Sequence, residues 1–233
     1  MKKTLSIKLF SFLFLTASLG YSQMGTEEKD ANRYISNKPI TITSSDLSAA
    51  GSVYENKEFV NGYVFKNGKT LASNVPLRYN AKRDEIEVKT GMKDVDKSAR
   101  VLVKNEDIYI KILNKMFVYT PVKDGIDKAG YFVVLQEGDH FALYKKITKV
   151  YIEGREAVNS ITRDSPASYK NKETFYLVNK ADGSFKAFPK SRKGKLKVFT
   201  KDKKAVKEFV KENRLNLNKG YALAKLVQYY DTL

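Results

Sequence analysis

The sequence predicts a mainly β fold: a curved antiparallel meander sheet or partial barrel with a small C-terminal two-helix element. Three observations predict it. Between Phe59 and Thr90, apolar and polar residues alternate with the period of two expected of a half-buried strand. Stretches of this kind continue to Phe188, most of them joined by turns far too short for the crossover that a parallel pair needs. After Pro189 the apolar residues recur at helical spacing instead.

The Phe59–Thr90 stretch carries its own punctuation. Asn61-Gly62 suits a bulge or bend, and Asn67-Gly68 suits a hairpin turn, because these residues tolerate positive φ. Val75, Leu77 and Tyr79 alternate with Pro76, Arg78 and Asn80; after Ala81-Lys82-Arg83-Asp84, Ile86 and Val88 alternate with Glu85, Glu87 and Lys89. A hairpin across that connection sets Asn80 against Glu85, Tyr79 against Ile86 and Leu77 against Val88. Arg78 then opposes Glu87 on the polar face, a cross-strand pair worth about 0.2–1 kcal/mol. Pro76 cannot donate to a ladder, so it belongs at a bulge or with its nitrogen turned from a partner.

Later strands follow the same logic. Ile108, Ile110 and Ile112 alternate with Tyr109, Lys111 and Leu113, and a turn at Asn114-Lys115 sets Ile112 against Phe117 and Ile110 against Tyr119. Phe132-Val133-Val134-Leu135 is apolar on both faces and predicts a central strand covered on each side. A turn at Glu137-Gly138-Asp139 leads to His140–Ile152, and Ala181-Asp182-Gly183 joins a last hairpin. In the first helix, over Asp202–Arg214, Val206, Phe209 and Val210 form the apolar stripe; in the second, capped by Asn218, Leu223, Leu226, Val227 and Tyr230 do. The organisation read from these signals is a signal peptide over 1–22, a mobile leader and edge strand over 23–50 (with Ile40–Thr43 as the strand), and an antiparallel β domain over 51–152. An exposed connection over 153–174 and a basic β-hairpin plus two-helix element over 175–233 complete it.

Gly51-Ser52-Val53-Tyr54 followed by Phe59, Gly62-Tyr63-Val64, Leu77-Arg78-Tyr79-Asn80 and the closing Tyr229-Tyr230 together resemble uncharacterised exported (periplasmic or secreted) proteins of Bacteroidetes. The resemblance spans most of the chain after residue 22. It implies a fold and a compartment and brings no activity or catalytic residues with it.

Lys2 and Lys3 precede an apolar run from Leu9 to Leu19, too short for a membrane span, and Gly20 and Ser22 fit the small-x-small positions of a signal-peptidase site. Cleavage before Gln23 leaves 211 of the 233 residues, without a transmembrane span, in the periplasm or cell envelope rather than the medium. With no cysteine in the chain, lipid attachment at a lipobox cysteine and disulfides are both excluded. The net charge of +17 is unevenly placed: Gln23–Tyr144 holds 18 Lys and Arg against 17 Asp and Glu, whereas Lys145–Leu233 holds 22 against 9. That asymmetry points to an anionic partner for the C-terminal half, against the alternative of a lysine-rich solvated surface.

Catalytic and metal motifs are scarce. Cys-His chemistry and thiolate metal sites have no cysteine, and the lone His140 sits beside a turn with no G-x-S-x-G nucleophile to serve. Phosphate loops, EF-hand loops and Ser-x-x-Lys do not occur. Glu85 and Glu87 share a strand face, as a hydrolytic carboxylate pair would, but the polar face of the hairpin, with Arg78 and Lys89 as partners, accounts for them better. Tyr144, Tyr151, Tyr169 and Tyr176 are the rings to test for stacking beside cations; core packing is the competing explanation. No cofactor and no metal are expected. The reading is a non-catalytic exported binding or accessory protein of the cell envelope, with an envelope protein or outer-membrane complex as partner. Its alternative is a binder of anionic polymers or lipid headgroups through the basic half, and a carboxylate-based hydrolase comes third. The contact candidates are Lys190, Arg192, Lys193, Lys195 and Lys197, extended by Lys203, Lys204, Lys207 and Lys211.

Overall fold

In the computed structural model, which describes residues 34–157 and 163–233, eleven strands form one open antiparallel sheet. The expected signal peptide and the start of the leader lie outside the described residues. The strands are β1 (Ile35–Pro39), β2 (Val60–Lys66), β3 (Lys69–Asn80), β4 (Glu85–Val88), β5 (Arg100–Leu102), β6 (Ile108–Ile112), β7 (Lys115–Thr120), β8 (Gly130–Gln136), β9 (Phe141–Ile152), β10 (Ser168–Asn179) and β11 (Phe185–Ala187). Their spatial order is β1-β5-β4-β3-β2-β6-β7-β8-β9-β10-β11. The sheet is thus two meanders growing in opposite directions from β2, not one running meander. Helix α1 (Ser44–Ser48) follows the first strand, and α2 (Arg192–Val198), α3 (Lys203–Glu212) and α4 (Gly220–Tyr230) end the chain. None of the described helices is long and apolar enough to cross a membrane.

The β3–β4 register is the one the alternation predicts, Asn80 to Glu85 through Leu77 to Val88. The β2–β3 turn takes two residues, Asn67 and Gly68, with φ of 50° and 75°. The pairing slips at Gly62/Tyr63, and opposite that slip Asn74, at φ 54°, is the extra residue two positions before Pro76. The β6–β7 hairpin is tighter than its sequence suggests: Leu113 adopts φ 54°, so Ile112 faces Lys115 and Ile110 faces Phe117. Pairing of the first strand stops at Pro39, and Thr43 with Asp46 forms a capping box that starts α1, so Ile40–Thr43 is not a strand. Strand β10 begins at Ser168 and pairs with β9 along its whole length, taking in the last part of the stretch expected to be a connection.

The sheet curls strongly. Four strands separate β3 from β9, yet the Tyr79 hydroxyl lies 3.2 Å from the Ile147 carbonyl and Lys149 N–H donates to the Ala81 carbonyl. Strands β8 and β9 part beyond the Val133–Lys145 pair, and the β3–β4 turn fills the split with Asp84. That carboxylate accepts from the Tyr79 hydroxyl (2.7 Å), Tyr131 N–H (3.1 Å) and Lys146 Nζ (2.6 Å). Gly130 is required there, because a Cβ would overlap both Asp84 Oδ2 and Lys146 Nζ. Burial, with Asp84's charge and hydrogen bond added, pushes the Tyr79 phenol far above its usual range.

The curl encloses one core of Val64, Leu77, Tyr79, Ile86, Val88, Ile110, Phe117, Tyr131, Val133 and Ile147. Phe132, on the other face of β8, joins a second cluster with Val118, Ala142, Val178 and Phe185, so β8 is covered on both sides as its composition predicts. The three C-terminal helices pack over Leu143, which shares a face of β9 with Ile147, and over Leu177.

Candidate functional site

The basic run after Pro189 folds as a third C-terminal helix, where the sequence suggested only two. Ser191 caps α2 by accepting from Gly194 N–H (3.1 Å), and Val198 and Phe199 anchor its far end in the helical core. Helix α3 buries Val206 and Val210, and α4 buries Leu223, Leu226, Val227 and Tyr230, the stripes the sequence predicts. The closing tyrosines lock the layer. Tyr229 stacks on Phe209 at 4.0 Å with 2° between planes, and the Tyr230 ring packs against Phe199 and Phe141. The Tyr230 hydroxyl accepts from Thr200 and Lys201 N–H, which fixes the α2–α3 connection.

With the helices fixed, Lys193 and Lys197 lie one turn apart on α2, and Lys203 and Lys207 one turn apart on α3. The four line a groove of about 480 Å³ together with Leu196. All four are exposed, and none forms an ion pair with a described carboxylate. The remaining five predicted contacts do not join them. Lys195 is buried and donates to Asn218 Oδ1 at 2.6 Å, its ammonium pushed below the usual lysine range by desolvation. Asn218 is therefore that lysine's partner, and Lys219 takes the cap position of α4. Arg192 reaches the Leu215 carbonyl, and Lys190, Lys204 and Lys211 are exposed away from the groove lining. The i,i+4 spacings were visible in the chain; that they face one another across Leu196 depends on how α2 turns into α3.

A second polar site carried no sequence signal beyond the cross-strand pair. The face of β3–β4 expected to be merely polar is buried: Arg78 is 4% exposed and Glu87 1%. The segment before β2 covers it, sandwiching the Arg78 guanidinium between the rings of Tyr54 (3.7 Å) and Phe59 (4.1 Å). Arg78 donates twice to Glu87 Oε2 (3.1 and 2.8 Å) and also to Asp96 Oδ2 and the Lys57 carbonyl; Asn80 donates to Glu87 Oε1. Lys89 bonds Met92 and Asp94 carbonyls and Asp96, while Glu85 pairs with Lys38 rather than with Lys89. Both glutamates are thus engaged by cations or amides. A cavity of about 350 Å³ beside them is lined by Asp46, Ser52, Tyr54, Lys57, Arg78 and Asp96, among others.

Asp46 belongs to that cavity's lining. Burial alone would raise its carboxyl, but hydrogen bonds from Lys82, Thr43 N–H and Arg83 outweigh it and hold the group well below the carboxylate range. The stacking candidates are mostly core: Tyr169 is buried against Ala49 and Val53, and Tyr144 and Tyr176 pack on Phe132. Tyr151 is 43% exposed, with its ring 5.4 Å from that of Tyr169. His140 is an exposed turn residue whose backbone N–H donates to Asp231. Among the described residues no three His, Cys, Asp or Glu side chains gather to hold a metal ion. Compared with protein families, curated proteins and solved structures, the chain matches none of them.

Proposed function

We propose that the chain is a non-catalytic exported binding protein of the cell envelope, an accessory subunit that takes an acidic protein surface of an outer-membrane assembly on the α2–α3 groove. One observation carries the reading: Lys193, Lys197, Lys203 and Lys207 surround an apolar floor and are free of described carboxylates. A cluster of unpaired cations raises the local potential and speeds encounter with an anionic partner, with an affinity that falls as salt shortens the screening length below about 8 Å. The Leu196 floor favours an acidic protein surface, which brings apolar area, over a purely ionic contact. The density of lysines supports the second reading, an anionic polymer or lipid headgroup held by charge alone.

The test reverses charge at Lys193, Lys197, Lys203 and Lys207 and leaves Lys195 intact, since that side chain is structural. Capture from envelope extracts should yield a partner of defined stoichiometry that the reversed protein loses and that Leu196→Ser weakens. Loss of heparin, DNA and anionic-vesicle binding without any such protein partner would favour the second reading. Unchanged behaviour in every assay would reduce the groove to a solvated surface. N-terminal sequencing of the exported protein should find Gln23 first.

A further inference from the structure

The outer side of β10 is a strand edge filled at both ends and open in the middle. At one end, Ala50 N–H donates to the Ala167 carbonyl and Tyr169 N–H donates to the Ala50 carbonyl. At the other, β11 pairs with Tyr176–Val178, and Phe188 N–H donates to the Phe175 carbonyl. Because an antiparallel strand turns alternate residues to alternate neighbours, these bonds place Tyr169, Asn171, Glu173 and Phe175 outward, and Lys170, Lys172 and Thr174 toward β9. The outward groups left are the Tyr169 carbonyl, both backbone groups of Asn171 and of Glu173, and Phe175 N–H. Among the described residues none of the six has a hydrogen-bond partner. Lys170, Asn171, Lys172 and Glu173 are exposed, so the gap is reachable from solvent.

We infer that this gap, Lys170–Thr174, is a slot for an extended acidic segment of a partner protein, which adds a strand to β10 between Ala50 and Phe188. Strand addition supplies main-chain bonds for affinity and leaves specificity to alternate side chains. The charge around the slot selects the partner. Lys170 and Lys172 project on one face without a described carboxylate partner, and Lys149 lies opposite Asn171 on the other. The one acid in the gap, Glu173, is already paired with Lys145 at 2.8 Å. Acidic residues at alternate positions of the incoming strand therefore complement Lys170 and Lys172. A second copy of the same edge would bring like charges together, as edge lysines do when they guard a sheet against self-pairing. The slot spans roughly 17 Å at about 3.3 Å per residue, the reach of a short strand. This site is separate from the α2–α3 groove, and neither inference depends on the other.

Proline discriminates cleanly here, because it deletes a donor and is tolerated where the N–H faces away from the ladder. Asn171→Pro removes an outward N–H that the folded chain does not use, whereas Lys172→Pro removes one bonded to β9. The probe is a synthetic peptide of about eight residues alternating valine or threonine with glutamate, beside the same peptide N-methylated at alternate amides. The peptide should bind the wild-type protein, with affinity at least about tenfold weaker for Asn171→Pro, for Lys170→Glu/Lys172→Glu and for the N-methylated peptide. Melting should be unchanged in Asn171→Pro and lowered in Lys172→Pro, and the groove variants should bind the peptide normally. In the wild-type protein, the Asn171 and Glu173 amides should exchange more slowly once peptide is added, a readout that needs no variant to fold. No binding by the wild type, equal binding by Asn171→Pro, or unaltered exchange would overturn the slot. A concentration-dependent dimer abolished by Asn171→Pro would overturn it in favour of a second copy.

Discussion

The cations of the sheet and those of the C-terminal helices share a chemistry and differ in company. In and around the sheet, Arg78 meets Glu87 and Asp96, Lys82 and Arg83 meet Asp46, Lys115 meets Glu55 and Lys146 meets Asp84. The side chains of Arg78, Glu87 and Asp46 are buried, so their pairs hold strands and loops together and could not be separated without stranding a charge. On α2 and α3 all the lysines except the buried Lys195 instead stand in water, backed by an apolar core that does not need them. A paired, buried charge is part of the fold; an unpaired, exposed one is free for a partner. The near-neutral charge of the first part of the chain and the excess of the second are therefore two different uses of lysine and arginine.

The largest expected effect separates these uses directly. Arg78→Ala or Glu87→Ala should lower the unfolding free energy by about 3–5 kcal/mol, since each removes one partner of a buried ion pair. Lys197→Ala should stay within about 0.5 kcal/mol. Urea unfolding of the three variants measures both, and similar midpoints for all three would erase the distinction. Next in size, Leu77→Ala should cost about 2–5 kcal/mol through the cavity it opens in the core that the curl encloses. An unchanged midpoint would mean that this face of β3 is not the packed one.

A third test uses acid. Asp46 titrates below its unfolded value near 3.9, so its contribution to stability is fully present above about pH 4 and is lost as pH falls through that value toward the folded one. The stability difference between wild type and Asp46→Asn should accordingly shrink as pH drops from 6 toward 2. A difference that holds constant over that range would show that the carboxylate is not held by Lys82 and Arg83. The smallest expected effect on the fold belongs to charge reversal at Lys193, Lys197, Lys203 and Lys207: an unchanged melt beside a loss of salt-sensitive binding. Reversal at Lys204 and Lys211, outside the groove lining, should weaken that binding far less; an equal loss would argue for diffuse attraction over a built groove.

The sequence by itself determined what depends on near neighbours. Period-two alternation and the turn chemistry of Asn67-Gly68 specify the β2–β3 and β3–β4 hairpins, because a one-residue slip would turn Leu77, Tyr79, Ile86 and Val88 out of the core. Helical spacing likewise specifies which sides of α3 and α4 are buried. What depends on segments distant in the chain was left to the tertiary structure. Whether Arg78 faces water or the rings of Tyr54 and Phe59 is settled by a loop some twenty residues upstream that folds over the hairpin. Whether β8 and β9 stay paired is settled by Asp84 arriving from the opposite side of the curl, and which lysines face each other is settled by the turn between α2 and α3. The open edge of β10 is equally silent in the sequence, since a strand cannot encode locally that its neighbour ends too soon.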